Sequence, residues 1–144
     1  MRLHGDREPK PEGQPTAPGA DNEIWSYGDE VYEICKKYIS IREELREYTR
    51  SLMQQAHEKG TPVIRTLFYE FPEDPRCWEL ETQYMFGSKY LIAPVLKAHQ
   101  RQMQVYLPAG VRWRSWDGTR SYEGGDVTDV ACPIDAMPAF VRID

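Results

Sequence analysis

Gly60-Thr61-Pro62-Val63-Ile64-Arg65-Thr66-Leu67-Phe68-Tyr69-Glu70-Phe71-Pro72-Glu73-Asp74 is the stretch on which the reading of the fold turns. Its first half, Thr61 to Phe68, is β-rich and mostly apolar. That pattern predicts a buried strand of the kind found in parallel sheets. Immediately upstream, Val31, Ile34, Tyr38, Ile41, Leu45, Tyr48, Leu52 and Ala56 recur at steps of three and four. They mark one face of an α-helix. Glu33, Lys37, Glu43, Glu44, Glu47 and Arg50 lie on the opposite face. Gly60 followed by Pro62 supplies a helix stop. The run is long for one globular helix, and a break near Tyr38 to Ile41 would divide it into two. A helix, a short turn and a buried strand make an αβ unit.

Outward from this unit the texture changes on both sides. Met1 to Trp25 carries Pro9, Pro11, Pro15 and Pro18, which exclude a helix and predict a long loop. After Asp74, which is placed to cap, Pro75 to Met85 can form a short helix. From Tyr90 onward, short strands are predicted at Tyr90 to Val95, Gln104 to Leu107, Val111 to Trp116, Val127 to Ala131 and Phe140 to Ile143. Pro108-Ala109-Gly110, Asp117-Gly118 and Gly124-Gly125 punctuate them as turns. The expected class is α/β followed by all-β. The domains divide into residues 1–88 and 89–144, the second an antiparallel β-domain. One αβ unit cannot cover both faces of a parallel strand, so a fragment or an obligate partner is expected.

Composition narrows the function. The chain has 144 residues, 40% of them hydrophobic, 28% charged, with a net charge of −5. The mean hydropathy is −0.68. No apolar run approaches the ~20 residues of a membrane span. The polar start shows no apolar core of a signal peptide. A mildly acidic chain offers no electrostatic footprint for nucleic acid or an anionic membrane. Cys35, Cys77 and Cys132 are odd in number and widely spaced, which predicts neither a disulfide framework nor a zinc site and suits a reducing, cytoplasmic setting.

Several residues carry candidate chemistry. His4, in Arg2-Leu3-His4-Gly5-Asp6-Arg7, can bind a hydroxylated ligand or act as acid or base, and its plain reading is a solvated loop histidine. His57 suits the C-terminal end of the long helix, and His99 lies in a polar turn. No pair of histidines has metal-ligand spacing, and no cofactor is called for. Glu70, Glu73 and Asp74 follow the predicted strand, where barrel enzymes place catalytic groups. Their plain reading is that Asp74 caps a helix while Glu70 and Glu73 are solvated or paired with Arg76. Trp113, Trp116 and Tyr122 suit either a sugar-stacking surface or a β-core, with at least two expected in the core. No nucleophile-elbow, Walker or dinucleotide motif is present.

Taken in order, these residues resemble glycoside hydrolase family 31, which includes α-glucosidases and α-xylosidases. Gly60 to Asp74 is similar to that family's G-T-P-x-x-R-P-L-F-x-x-F-P-x-D, with Thr66 in place of the usual proline. Gln83-Tyr84-Met85-Phe86-Gly87 through Leu91-Ile92-Ala93-Pro94-Val95 is similar to Q-(F/Y)-M-x-G-x-x-L-L-V-A-P-V. Val105 to Gly110 with Trp113 and Trp116, Pro138 to Arg142, and the opening Arg2-Leu3-His4-Gly5 resemble three further family motifs.

The resemblance implies the end of a (β/α)8 barrel, with Thr61 to Phe68 as its eighth strand and Val31 to Lys59 as the segment before it. From Lys89 it implies the proximal β-sandwich domain. It implies a retaining mechanism with an aspartate nucleophile and an aspartate acid/base, both upstream of the opening motif and neither matched in this chain. His4 corresponds to a histidine that hydrogen-bonds the substrate sugar. The expected activity is therefore that of a fragment of an enzyme hydrolysing terminal α-linked glucose or xylose, inactive alone, whose partners are a carbohydrate substrate and the missing barrel part. The alternative is a non-catalytic carbohydrate-binding or complementing module of a split enzyme.

Overall fold

A computed structural model of the chain describes residues 23–143. His4 and most of the predicted proline-rich loop lie outside the described residues. The chain divides into two compact units, one up to Tyr48 and one from Thr49.

In the first unit, Ile24–Tyr27 forms a 3-10 turn, and helix α1 spans Asp29–Glu44. Asp29 and Glu30 in its first turn face the positive end of the helix dipole. Helix α2 spans Arg46–Lys59. The break expected near Tyr38 to Ile41 falls instead at Leu45, whose φ of −84° and ψ of 4° leave the helical region. Leu45 N–H still bonds the Ile41 carbonyl at 3.1 Å, and Glu43 pairs with Arg46 across the break. Ile39 and Ile41 lower helix propensity only slightly, so they do not interrupt the hydrogen-bond ladder. In the second unit Leu52 is the buried residue of α2. Gly60, with φ of 69°, ends α2 by bonding the Ala56 carbonyl, as the sequence predicts.

Strands β1 (Ile64–Arg65), β2 (Tyr84–Phe86), β3 (Tyr90–Ile92), β5 (Arg112–Ser115), β6 (Ser121–Glu123) and β8 (Ala139–Ile143) form one sheet in the order β1-β2-β3-β8-β5-β6. Strands β4 (Gln102–Tyr106) and β7 (Val127–Ala131) form a separate ribbon. Every pairing among the described strands is antiparallel. Trp113, Leu91, Met85 and Phe140 from the larger sheet join Val105 and Tyr106 from the ribbon in one core. Two antiparallel sheets around a shared core are the plan of a small β-sandwich.

The parallel barrel strand expected over Thr61 to Phe68 is not formed. Only Ile64 and Arg65 form a strand, and they pair antiparallel with Phe86 and Met85 at the sheet's edge. Ile64 is 63% exposed, so this strand is not buried on both faces. Thr66, at φ −67° and ψ 156°, instead opens the helical turn α3 (Leu67–Glu70), which Tyr69 and Phe71 close with bonds to the Thr66 and Leu67 carbonyls. The short helix expected over Pro75 to Met85 is a 3-10 turn at Pro75–Trp78, and Met85 belongs to β2. Gly87, at φ 60°, turns β2 into β3, so the expected division between residues 88 and 89 lies inside a hairpin. No barrel is formed by the described residues.

Candidate functional site

Among the described residues, the buried charged side chains Arg65 and Asp74 both lie between Arg65 and Trp78. Arg65 is 6% exposed. Its Nε donates to the Pro62 carbonyl at 2.7 Å, its guanidinium pairs with Glu70, and it lies 5.7 Å from the Tyr69 ring centre. Glu70 is thus paired with Arg65, where the sequence had offered solvent or Arg76. A buried pair adds little net stability, because desolvation offsets the attraction, but it fixes one geometry.

Asp74 is the second anchor. Its Oδ1 accepts from Arg76 N–H at 3.1 Å, which is the predicted cap. Its Oδ2 accepts from the Tyr106 hydroxyl at 2.6 Å and from Ala109 N–H at 2.9 Å. Burial alone would push the Asp74 carboxyl up. The bonds from Ala109, Tyr106 and Arg76 together outweigh it and hold the carboxyl below the usual range. Burial, with the Asp74 carboxylate beside it, pushes the Tyr106 hydroxyl upward. The same two causes push the Cys77 thiol up to about 12, which keeps it a thiol and not a nucleophile. Gln83 completes the node, its amide donating to the Tyr106 carbonyl and accepting from Tyr106 N–H at 2.8 and 2.9 Å. Asp74 therefore ties the loop to β4 and to the turn after it. With three donors already bound, it has little capacity left for acid–base work.

The predicted aromatic surface divides. Trp113 is fully buried, and its Nε1 donates to the Pro108 carbonyl at 3.0 Å. Tyr122 sits half-buried, edge-on to Phe140 with ring centres 5.5 Å apart. Trp116 alone keeps an exposed face, tilted against Tyr90 at 5.4 Å. Its neighbour Asp117 organises the predicted Asp-Gly turn. It accepts from the Ser115 hydroxyl and from the backbone and side chain of Thr119, which lower its carboxyl to about 2. His57 and His99 are exposed, the latter at a φ of 61°. Among the described residues no cluster of His, Cys, Asp or Glu has metal-binding geometry.

The sequence reading missed a second aromatic surface. Phe68 and Trp78 stack with ring centres 4.8 Å apart and planes 15° from parallel. With Tyr69 they are 37%, 61% and 47% exposed for Phe68, Trp78 and Tyr69 respectively. The available signal was that Phe68 and Tyr69 directly follow Leu67, which fills the core, so the helical turn sends them the other way.

The model of the glycosyl hydrolase family 31 C-terminal domain matches residues 60–144. An α-xylosidase of Saccharolobus solfataricus is 34% identical over 143 residues, covering 99% of this chain and 18% of its own length. Among solved structures, a family 31 α-xylosidase from a soil metagenome, complexed with xylose, shares 41% identity at a TM-score of 0.85 over 97% of this chain and 21% of that one. A Flavobacterium johnsoniae family 31 dextranase, complexed with isomaltotriose, shares 31% at a TM-score of 0.83 over 87% of this chain and 15% of that one. The chain belongs to glycosyl hydrolase family 31, whose members are glycoside hydrolases. It spans 15%, 18% and 20% of the length of three curated relatives that it matches.

Proposed function

We propose that this chain is the C-terminal part of a retaining α-glycosidase that removes terminal α-linked glucose or xylose, and that it does not hydrolyse glycosides alone. The observation that carries the proposal is collinearity. Alignment runs through 99% of the chain against an α-xylosidase and 97% against a solved one. Residues 60–144 supply the β-domain in this reading, and α1 and α2 close the barrel that other residues build.

The resemblance assigns the nucleophile and acid/base to aspartates upstream of Arg2-Leu3-His4-Gly5, and no stretch of this chain matches them. Losing the nucleophile removes the covalent route of a retaining glycosidase. His4 has the role of orienting the sugar hydroxyls, as an imidazole offers both a donor and an acceptor nitrogen. The missing barrel part is the proposed protein partner. Cys35, Cys77 and Cys132 are free thiols, which supports a reducing, cytoplasmic setting.

The test is turnover of aryl α-xylosides and α-glucosides by the purified chain. No release above a heat-inactivated sample is expected. Steady release that copurifies with the chain overturns the reading.

A further inference from the structure

We propose that α1 is an assembly-coupled helix: it becomes stably ordered only when its apolar stripe packs on the barrel part that lies outside this chain, while the second unit folds alone. The inference rests on the proposed function and adds to it how the two parts join.

Helix α1 has the periodicity of a packed element and none of the packing. Val31, Ile34, Tyr38 and Ile41 recur at steps of three and four, the spacing of one helix face. None of the 16 residues of Asp29–Glu44 is buried. Most of the stability of a helix in a protein comes from burying such a face, so α1 in this chain depends on local interactions.

Those local interactions are weak. A helix of this length is marginal in water even when it is rich in alanine, and α1 contains no alanine and no leucine. Val31, Tyr32, Ile34, Tyr38, Ile39 and Ile41 each lower helix propensity slightly, and the losses add along one short helix. Gly28, at the N-cap, has no side chain to accept from the first N–H groups. Asp29 and Glu30 gain a little from the helix dipole. Lys36 pairs with Glu33 at 3.5 Å and lies 5.8 Å from the Tyr32 ring centre, contacts of small worth on a solvated surface. The second unit differs. Leu52 of α2 is buried there, and Leu67, Met85, Leu91, Trp113 and Phe140 close a core of its own.

The comparisons say what covers the stripe. The C-terminal domain model begins at residue 60, whereas the alignment with the Saccharolobus solfataricus α-xylosidase takes in 99% of this chain. Helix α1 therefore lies in the aligned part that precedes the C-terminal domain. The match is 18% of that enzyme, so most of the protein that α1 can meet is outside this chain. Glu33, Lys37, Glu43 and Glu44 take the opposite face of the helix, so the surface that receives the stripe is apolar. A segment that orders on docking gives up its conformational entropy at that step, which couples its folding to assembly.

Hydrogen exchange read by mass spectrometry tests this on two proteins. One is the full chain. The other is a graft in which the chain replaces the aligned segment of the soil-metagenome α-xylosidase. In the chain alone, α1 amides should be protected less than about tenfold, while β3 and β8 are protected at least about a thousandfold. In the graft, α1 should gain at least about a hundredfold in protection. Ile34→Ala combined with Ile41→Ala should leave the melting temperature of the chain alone within about 1 °C, and should lower α1 protection in the graft at least about tenfold. Protection of α1 above about tenfold in the chain alone overturns the proposal, as does an unprotected β3 and β8 there. So does an α1 that stays unprotected in a graft that melts cooperatively. A graft that does not fold also overturns it, because the surface said to receive α1 is then present without receiving it. These outcomes are separable from failure of the proposed function, which is read from glycoside turnover: a graft can protect α1 and hydrolyse nothing.

Discussion

Gly124→Ala should be among the most damaging single-methyl changes in this chain. The backbone at Gly124 passes so close to the turn after β4 that an added Cβ would lie 2.0 Å from the Pro108 carbonyl oxygen and 2.6 Å from that of Val111. Both neighbours are backbone atoms, which cannot rotate away as a side chain end can. Relief needs a shift of about 1 Å in a turn whose atoms are otherwise committed. Gly124 N–H bonds the Val111 carbonyl, and the Pro108 carbonyl accepts from the buried Trp113 indole, each at 3.0 Å. Overpacking costs about 1–3 kcal/mol, and weakening two hydrogen bonds adds about 1 kcal/mol each, so a loss of about 3–5 kcal/mol is expected.

The comparison variant is Gly118→Ala. Gly118 has a φ of 75° and open space around its missing Cβ, so only left-handed strain of about 1–2 kcal/mol applies. Urea denaturation followed by circular dichroism measures both. If Gly124→Ala lies within about 0.5 kcal/mol of the parent, or below Gly118→Ala, the close approach at Pro108 is refuted.

Other perturbations test other parts of the structure. Asp74 has a lowered pKa in the folded state, so its contribution is complete above the unfolded value of 3.8 and is lost as pH falls through the lower folded value. Thermal melts of the parent should therefore decline below about pH 4, and Asp74→Asn should be less stable at pH 7 with a flatter acid limb; parallel curves would count against the node. Glu70→Gln should cost about 3–5 kcal/mol by leaving the Arg65 charge buried without its partner, and Arg65→Met with Glu70→Gln together should cost less than the sum of the singles in a double-mutant cycle. Cys77 should resist iodoacetamide at pH 8 in the folded chain and react on adding denaturant, since burial pushes its thiol up to about 12; fast labelling of Cys77 in native buffer would contradict this.

How far the residues foretold the structure varies by element, for physical reasons. Val127 to Ala131 is β7 to the residue, because alternating burial and a Gly-Gly turn bound it. Ala139–Ile143 begins one residue before its predicted start. Thr61 to Phe68 misled because β-branched Thr61, Val63, Ile64 and Thr66 with apolar Leu67 and Phe68 carry strand propensity through most of the run. What ends the strand is Arg65 turning inward to Pro62 and Glu70, a tertiary bond with no local signal. Ser121–Glu123 went unread because two of its three residues are polar and only Tyr122 faces the core. At the candidate site, the cap at Asp74 was legible from Pro75. Its bonds to Tyr106 and Ala109 span more than thirty residues and were not. Trp78 lies inside the short helix expected over Pro75 to Met85 and had no reading of its own, because exposure of one aromatic is decided by what packs beneath its neighbours.

The most direct test of the central claim is a graft. The segment of the soil-metagenome α-xylosidase that aligns with this chain, at 41% identity, is replaced by the chain itself, and kcat/KM is measured on an aryl α-xyloside. A folded chimera that hydrolyses the xyloside is expected, while the chain alone releases nothing. A chimera that folds with native-like melting yet shows no turnover would contradict it.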